Sequence, residues 1–190
     1  MVYTLVEDNM SPALDFTSQM FADHEPPSIA LGITNDEFTE IFRDVMEKSV
    51  ISGFSYAHET DDGTSMVLNI PYDQFVEVEY NVLSKIEPLF VLLGALRYKP
   101  TERCLYVFSI ASDGKGLGSY ILQHTILEAR KNGFKSILAD CTNSVSQHIF
   151  RKHGFLKREE ITYGGFEHNG VRSFKNVINT KSVQRMELML

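Results

Sequence analysis

Two cysteines, Cys104 and Cys141, are all that this sequence has, and neither a disulfide framework nor C-x-x-C metal spacing can be made from them. That scarcity fits a reducing interior. Basic residues are also short: 18 Lys and Arg against 25 Asp and Glu leave a formal charge of −7. Nucleic acid and anionic membranes are bound through basic faces, so neither is expected as a partner. The acidic balance suits a cationic small substrate. Long apolar runs are missing as well. The longest, "PLFVLLGAL" at 88–96, falls far short of the roughly 20 residues that cross a bilayer. The opening "MVYTLVEDNM" has no basic-then-apolar leader pattern. Together these features predict a cytoplasmic protein. No repeat, low-complexity tract or linker interrupts residues 1–190, which read as one domain large enough to bury a core.

Periodic patterning fills that domain. "VYTLV" (2–6) reads as a first strand, and a helix is expected from Ser11 to Phe21, with Pro12 at its first position. "ADHEPPS" (22–28) then reads as a stiff loop. Thr34 and Glu37 have capping-box spacing ahead of a helix over 34–49, whose Phe38, Ile41, Phe42, Val45 and Met46 share one face. Residues 51–59 and 65–70 flank "TDDGT" as a strand hairpin. Residues 74–97 read as helical, broken at Pro88. Strands are predicted at 103–110 and 135–141 and helices from the glycine cluster to Asn132 and over 144–153. "REEITYGGF", "RSFKNVI" and "QRMELML" supply closing strands. Strands alternating with helices predict an α/β (α+β) domain around one mixed, partly parallel sheet.

The segment "ASDGKGLGSYILQHTILEARKNGF" (111–134) packs three glycines into five positions between a strand and a helix. Such a loop presents unpaired N–H groups at a helix N-terminus, which suits a phosphate. The Walker pattern is absent, since Lys115 is not followed by Ser or Thr. The dinucleotide pattern G-x-G-x-x-G fails at Ser119. What fits is the acyl-CoA diphosphate loop, [RQ]-x-x-G-x-[GA], read here as Asp113-Gly114-Lys115-Gly116-Leu117-Gly118. Residues 113–155 keep the same order onward, through helix, strand and short helix to the Gly154-Phe155 pair. In this the chain resembles the GNAT superfamily of acyl-CoA-dependent N-acyltransferases.

The resemblance implies a GNAT fold with acetyl-CoA or another acyl-CoA as co-substrate and no metal. It places the pantetheine arm against the main chain of Phe108 and Ile110 and the diphosphate on Gly114 to Ser119. Asn143 joins these cofactor-binding positions. Asp113 stands where the family has Arg or Gln, a charge of the wrong sign that Lys115 offsets. The stretch "FADHEPPSIALGIT" (21–34) also looks like the D-E-P-L region of insect-type arylalkylamine N-acyltransferases, with His24 for Asp and Pro27 for Leu. In that register Glu25 falls on the family's base. A carboxylate there suits the chemistry, because only the free amine attacks a thioester. A solvated loop acid is the other reading of Glu25.

The tyrosine that many GNAT enzymes use to protonate the leaving sulfur is replaced by Phe150. The arylalkylamine subgroup instead carries serines after the preceding strand. Ser146, with Thr142 four residues before it and on the same face if both are helical, is the first choice for that proton. Helix capping by Thr142, Asn143 or Ser144 stands beside this reading. Cys141 offers an acyl relay or ordinary packing, and the histidines at 58, 124, 148, 153 and 168 have no metal spacing. Arg151, Lys152, Lys157 and Arg158 form either a 3′-phosphate contact or a solvated basic face. Phe21, Ile29, Phe38, Phe42 and Tyr72 would line an acceptor pocket or belong to the core. The resemblance therefore implies acyl transfer from acyl-CoA to a primary amine, with an arylalkylamine favoured over a protein lysine, an N-terminus or a polyamine. A non-catalytic CoA-binding protein is the other class left open. The protein itself would be a monomer or homodimer.

Overall fold

Alternation along the strands decides the architecture. In β3 (Gly63–Pro71), Met66 and Leu68 enter one core while Val67 enters another, as the two-residue period of a strand requires. Both faces of the sheet are therefore covered. The computed structural model describes residues 1–76 and 85–190. Its seven strands are β1 (Val2–Thr4), β2 (Tyr56–Thr60), β3, β4 (Cys104–Ser112), β5 (Ser136–Cys141), β6 (Leu156–Thr162) and β7 (Ser182–Met189). They form one sheet in the order β1-β2-β3-β4-β5-β7-β6. Among the described residues β4 and β5 are the parallel pair, and the other pairings are antiparallel. The expected mixed, partly parallel sheet is what forms.

One face is covered by α1 (Glu7–His24) and α3 (Asn35–Ser52), which bring Leu14, Phe38 and Phe42 against Leu68 and Val183. The other is covered by α6 (Leu117–Lys131), whose Ile121, Leu122 and Ile126 meet Val67, Leu105 and Ile137. Phe150 of α7 (Ser144–Lys152) packs edge-on against Phe155 in that same layer. The capping box before α3 forms as read: Glu37 N–H donates to Thr34 Oγ1 at 3.4 Å, and Thr34 N–H to Glu37 Oε2 at 2.8 Å.

Several boundaries differ from the sequence expectation. Helix α1 starts a turn earlier than Ser11, because Val6 N–H is taken by Asn9 Oδ1 at 2.8 Å and Glu7 and Asp8 favour the first turn. Pro12 consequently lies inside the helix. Residues 26–31 are not loop but a short helix, α2 (Pro26–Leu31). Helix α3 runs to Ser52, so the hairpin strand begins only at Tyr56. After a single turn, α4 (Tyr72–Phe75), residues 77–84 of the expected 74–97 helix lie outside the described residues. Pro88 starts α5 (Glu87–Gly94) instead of breaking it, since an early helical position needs no N–H there. "RSFKNVI" (172–178) forms no strand. Its Phe174 is buried beside Tyr163, and its end runs along the cleft described next.

Candidate active site

The cleft begins where the sheet comes apart. β4 pairs with β5 only from Cys104↔Ser136 to Val107↔Ala139, yet β4 continues to Ser112 against β3. Beyond Val107 the β5 side of β4 is left without a partner strand among the described residues. The register on the β3 side shifts at the same place. Leu68 pairs with Ser109 but Asn69 with Val107, so Phe108 is an extra residue in β4. A bulge bends the strand and re-aims its side chain. Phe108 accordingly turns edge-on to Phe42 at 5.4 Å and enters the cavity wall with Ile110.

Glu25 forms the opposite wall. It closes α1, with its N–H on Phe21 O at 3.0 Å, and opens α2 as N-cap. Pro26 next in line loses no needed donor, so the prolines build a helix start and not merely a stiff loop. Ser28 N–H donates to Glu25 Oε2 at 2.7 Å, and the Ser28 hydroxyl donates to the same oxygen. Glu25 is only 3% exposed, and among the described residues Oε1 has no hydrogen-bond partner. Burial pushes the carboxyl above its ordinary range, while Ser28 and the neighbouring Thr142 hydroxyl pull it down less strongly. Thr142 stands close without completing a hydrogen bond to Oε1. The solvated loop acid is thus excluded: this carboxylate is buried and half satisfied.

Two connected spaces meet at Glu25. The larger, of about 810 Å³, runs from Met20 and Phe21 past Ile110, Asp113 and Gly118 to Ser146 and the 176–180 segment. The inner one, of about 120 Å³, is lined by Phe21, Phe38, Phe42, Phe90, Phe108 and Phe150, together with Asp140, Cys141 and Thr142. Phe21 meets Phe38 and Phe42 edge-on and those two lie tilted, with ring centroids 5.0–6.0 Å apart. Ile29 lines the outer space. Tyr72 takes the core alternative: it packs on Phe75 and Tyr106, and neither space includes it.

The glycines of the loop serve two different ends. A Cβ on Gly114 would run into the Leu117 side chain and come within 2.8 Å of Asp62 O, so the close neighbour there is the β2–β3 turn. Gly116 caps α6 with φ +81°, a backbone that side chains strain, and nothing lies within 4 Å of its Cβ position. Gly118, on the cleft wall, has ordinary contacts with Ile110 and Ile149. The amides of Gly118 and Ser119 fall in the first turn of α6, where no intrahelical acceptor exists. Asp113 turns away from them, with Oδ1 accepting from Thr64 N–H at 2.5 Å. Lys115 is exposed. The Ser119 hydroxyl meets His153 Nε2 at 2.7 Å.

Asn143 caps α7, its Oδ1 accepting from Ser146 N–H at 2.7 Å, while the Ser146 hydroxyl donates to Asn143 O at 2.9 Å. Thr142 therefore precedes the helix, and the shared helical face with Ser146 does not arise. Both still reach the inner space. Burial drives the Cys141 thiol far above its ordinary range, which leaves it protonated and a poor nucleophile. The basic cluster is largely committed elsewhere: Arg151 to Gln184, Lys157 to Glu160 and Arg158 to Glu187. Among the described residues no metal-binding group of His, Cys, Asp or Glu occurs, and no helix is long and apolar enough to cross a membrane.

Four contributors escaped the sequence reading. Ser28 follows Glu25 at N-cap-to-N3 spacing, a signal that was there to read. Thr180 Oγ1 accepts from Ser144 N–H at 3.0 Å, tying the 176–180 wall to α7. Tyr163, 2% exposed, donates to Thr142 O. Arg185 meets Asp140 with two bonds of 2.7 Å beneath the inner space. The last three join segments distant in sequence and left no local pattern.

No family model matches the chain. Its fold is that of GNAT acetyltransferases. It resembles the C-terminal condensation domain of Ebony in complex with beta-alanyl-dopamine at 17% identity, with 100% of this chain and 98% of that one covered and a TM-score of 0.88. It resembles arylalkylamine N-acetyltransferase 2 from Aedes aegypti at 16% identity, 100% and 98% coverage and a TM-score of 0.78. A third likeness is to the Drosophila melanogaster polyamine N-acetyltransferase that forms N-acetylagmatine, at 16% identity, 100% and 99% coverage and a TM-score of 0.80.

Proposed function

We infer that the protein is an N-acyltransferase that moves an acetyl or similar short acyl group from acyl-CoA to a primary amine. The observation that carries this is Glu25: a buried carboxylate with one unpartnered oxygen, facing the unpaired edge of β4 across a cleft. The pantetheine arm lies along Phe108 and Ile110, and the first-turn amides of α6 take the diphosphate. Glu25 attracts the ammonium and accepts its proton, a role suited to a carboxyl whose affinity for protons burial has raised. The free amine then attacks the thioester carbonyl, the C–N bond forms and the C–S bond breaks. Ser146 passes the nitrogen's second proton to the departing sulfur as its hydroxyl turns from Asn143 O. Products are amide and free thiol, with one proton left on Glu25 for release to solvent.

The aromatic inner space, lined by six phenylalanines, favours an arylalkylamine acceptor. An amide of dopamine is the ligand named for the Ebony domain. A polyamine is the second reading, favoured by the acids Asp23, Glu25 and Asp113 on the outer cleft and by the N-acetylagmatine-forming likeness. The test is thiol release from acetyl-CoA with tryptamine, spermidine and a lysine peptide in parallel, backed by calorimetric binding of acetyl-CoA. Fastest release with tryptamine supports the reading. Binding without amine-dependent release would instead make this a non-catalytic CoA-binding protein, as Phe150 and Asp113 would suit.

A further inference from the structure

The bulge in β4 does more than re-aim Phe108. Residues directly opposite one another in an antiparallel pair share a face of the sheet. Ser109 lies opposite Leu68, whose side chain joins the core of Phe38 and Phe42. Val107 lies opposite Asn69 and packs in the other core. Phe108 and Ser109 therefore stand side by side on one face, where strict alternation would have turned one of them away. That face carries the inner space, which Ser109 lines among six phenylalanines. Ser109 is 4% exposed, and among the described residues its Oγ has no hydrogen-bond partner. Among the described residues lining this space, Glu25 Oε1 is the other buried side-chain polar atom without one.

A hydroxyl buried without a partner costs stability that alanine would not, so this serine calls for a polar group brought in from outside. The surroundings narrow that group's chemistry. Glu25 supplies negative charge, which disfavours an anionic substituent. A second ammonium would need a free carboxylate, and Asp140 is already held by two bonds of 2.7 Å from Arg185. A neutral hydroxyl fits, since serine can donate to it or accept from it. Aromatic walls together with two idle oxygens suit a ring that carries an amine arm and a hydroxyl. Resting on the acyltransferase reading above, we propose that Ser109 is a specificity-determining residue for the acceptor. Glu25 takes the amine, Ser109 takes a hydroxyl on the ring, and phenolic arylalkylamines are preferred to plain ones.

The experiment measures thiol release from acetyl-CoA with tyramine, phenethylamine, para-methylphenethylamine and spermidine. A methyl group fills nearly the space of a hydroxyl but makes no hydrogen bond, so the methyl analogue isolates the polar contact. Tyramine should exceed it in kcat/KM by about tenfold, and phenethylamine by a similar factor. Ser109→Ala should bring the tyramine-to-methyl ratio to about one by lowering turnover of tyramine selectively. A general loss of packing would lower both amines and leave the ratio in place. Without ligand the variant should melt at or above the temperature of the unaltered protein, because an unpaired buried hydroxyl has been removed. Tyramine should then raise its Tm less than it raises that of the unaltered protein. A ratio near one in the unaltered protein needs no variant and would overturn the proposal. So would a tyramine preference that survives Ser109→Ala. Release with spermidine alone would overturn it too and leave the acyltransferase reading standing. No amine-dependent release at all would overturn both.

Discussion

The two ends of the cleft are built on opposite principles. At the Glu25 end the side chains are buried, aromatic rings pack edge to face, and a carboxylate is held by Ser28 with one oxygen idle. At the glycine-loop end the backbone is exposed, the conformation is fixed by Gly114 and Gly116, and Asp113 ties the loop to the β2–β3 turn. Energy stored in the first end is electrostatic and depends on dryness. In the second it is conformational and depends on the chain adopting an unusual turn. Damage to the dry end should therefore be severe and chemical, and damage to the open end mild and geometric.

The sharpest break in that comparison lies beneath the dry end. Arg185 is 6% exposed and makes two bonds to Asp140 and two more to Leu96 O and Tyr98 O. Arg185→Met should cost about 3–5 kcal/mol in denaturant unfolding, because Asp140 would be left charged and buried. Next, Glu25→Gln should lower kcat by about a hundredfold while leaving donor affinity nearly unchanged; unaltered turnover would remove Glu25 from the base role. The same substitution should raise Tm near neutral pH. Burial raises this carboxyl's folded pKa, so its ionisation costs stability as pH rises from the ordinary carboxylate range upward. Melting curves of the two proteins should converge in acid, below that range. The acid limb of the kcat/KM profile should vanish with the carboxylate.

At the open end, Gly116→Ala should cost about 1 kcal/mol through its left-handed backbone, with no contact to relieve. Gly114→Ala should cost more, about 2 kcal/mol, since the obstacle includes the Asp62 carbonyl. Equal melting temperatures for the two variants would sink the distinction drawn between them. The smallest effect belongs to a control far from both ends. Lys157, Ser182 and Gln184 hold the Glu160 carboxyl down at about 2, so it stabilises the fold above the ordinary carboxylate range and loses that contribution as pH falls toward 2. Glu160 is exposed, and Glu160→Gln should cost only about 0.5 kcal/mol at neutral pH.

The open end was the more legible in sequence. Glycine spacing, the amphipathic pattern of α6 and the Gly154-Phe155 stop are local signals, and strand, loop and helix fall where they predict. Glu25 was found by motif likeness, but its burial was not, because the partners that dry it come from α3, β4 and the segments around Thr142 and Tyr163. Residues 22–28 read as loop since two prolines usually mean one, although Glu25-Pro26 is also a helix start. The bulge at Phe108 and the parting of β4 from β5 left no trace in periodicity: both depend on what a neighbouring strand does. Arg185 sits in a strand that is buried over most of its length although half of its residues are polar, and only a distant acid, Asp140, explains the buried guanidinium.

That parting has a mechanical side. Four strands, β1 to β4, form one half of the sheet, and β5, β7 and β6 form the other. The seam between them is a run of four residue pairs, Cys104 to Val107 against Ser136 to Ala139. A molecule lodged in the gap would act as the missing stretch of strand and staple the halves together. Amide exchange should then slow on both sides of the seam at once when a ligand binds there, in β4 and in β5 alike, and the protein would be at its stiffest only while loaded.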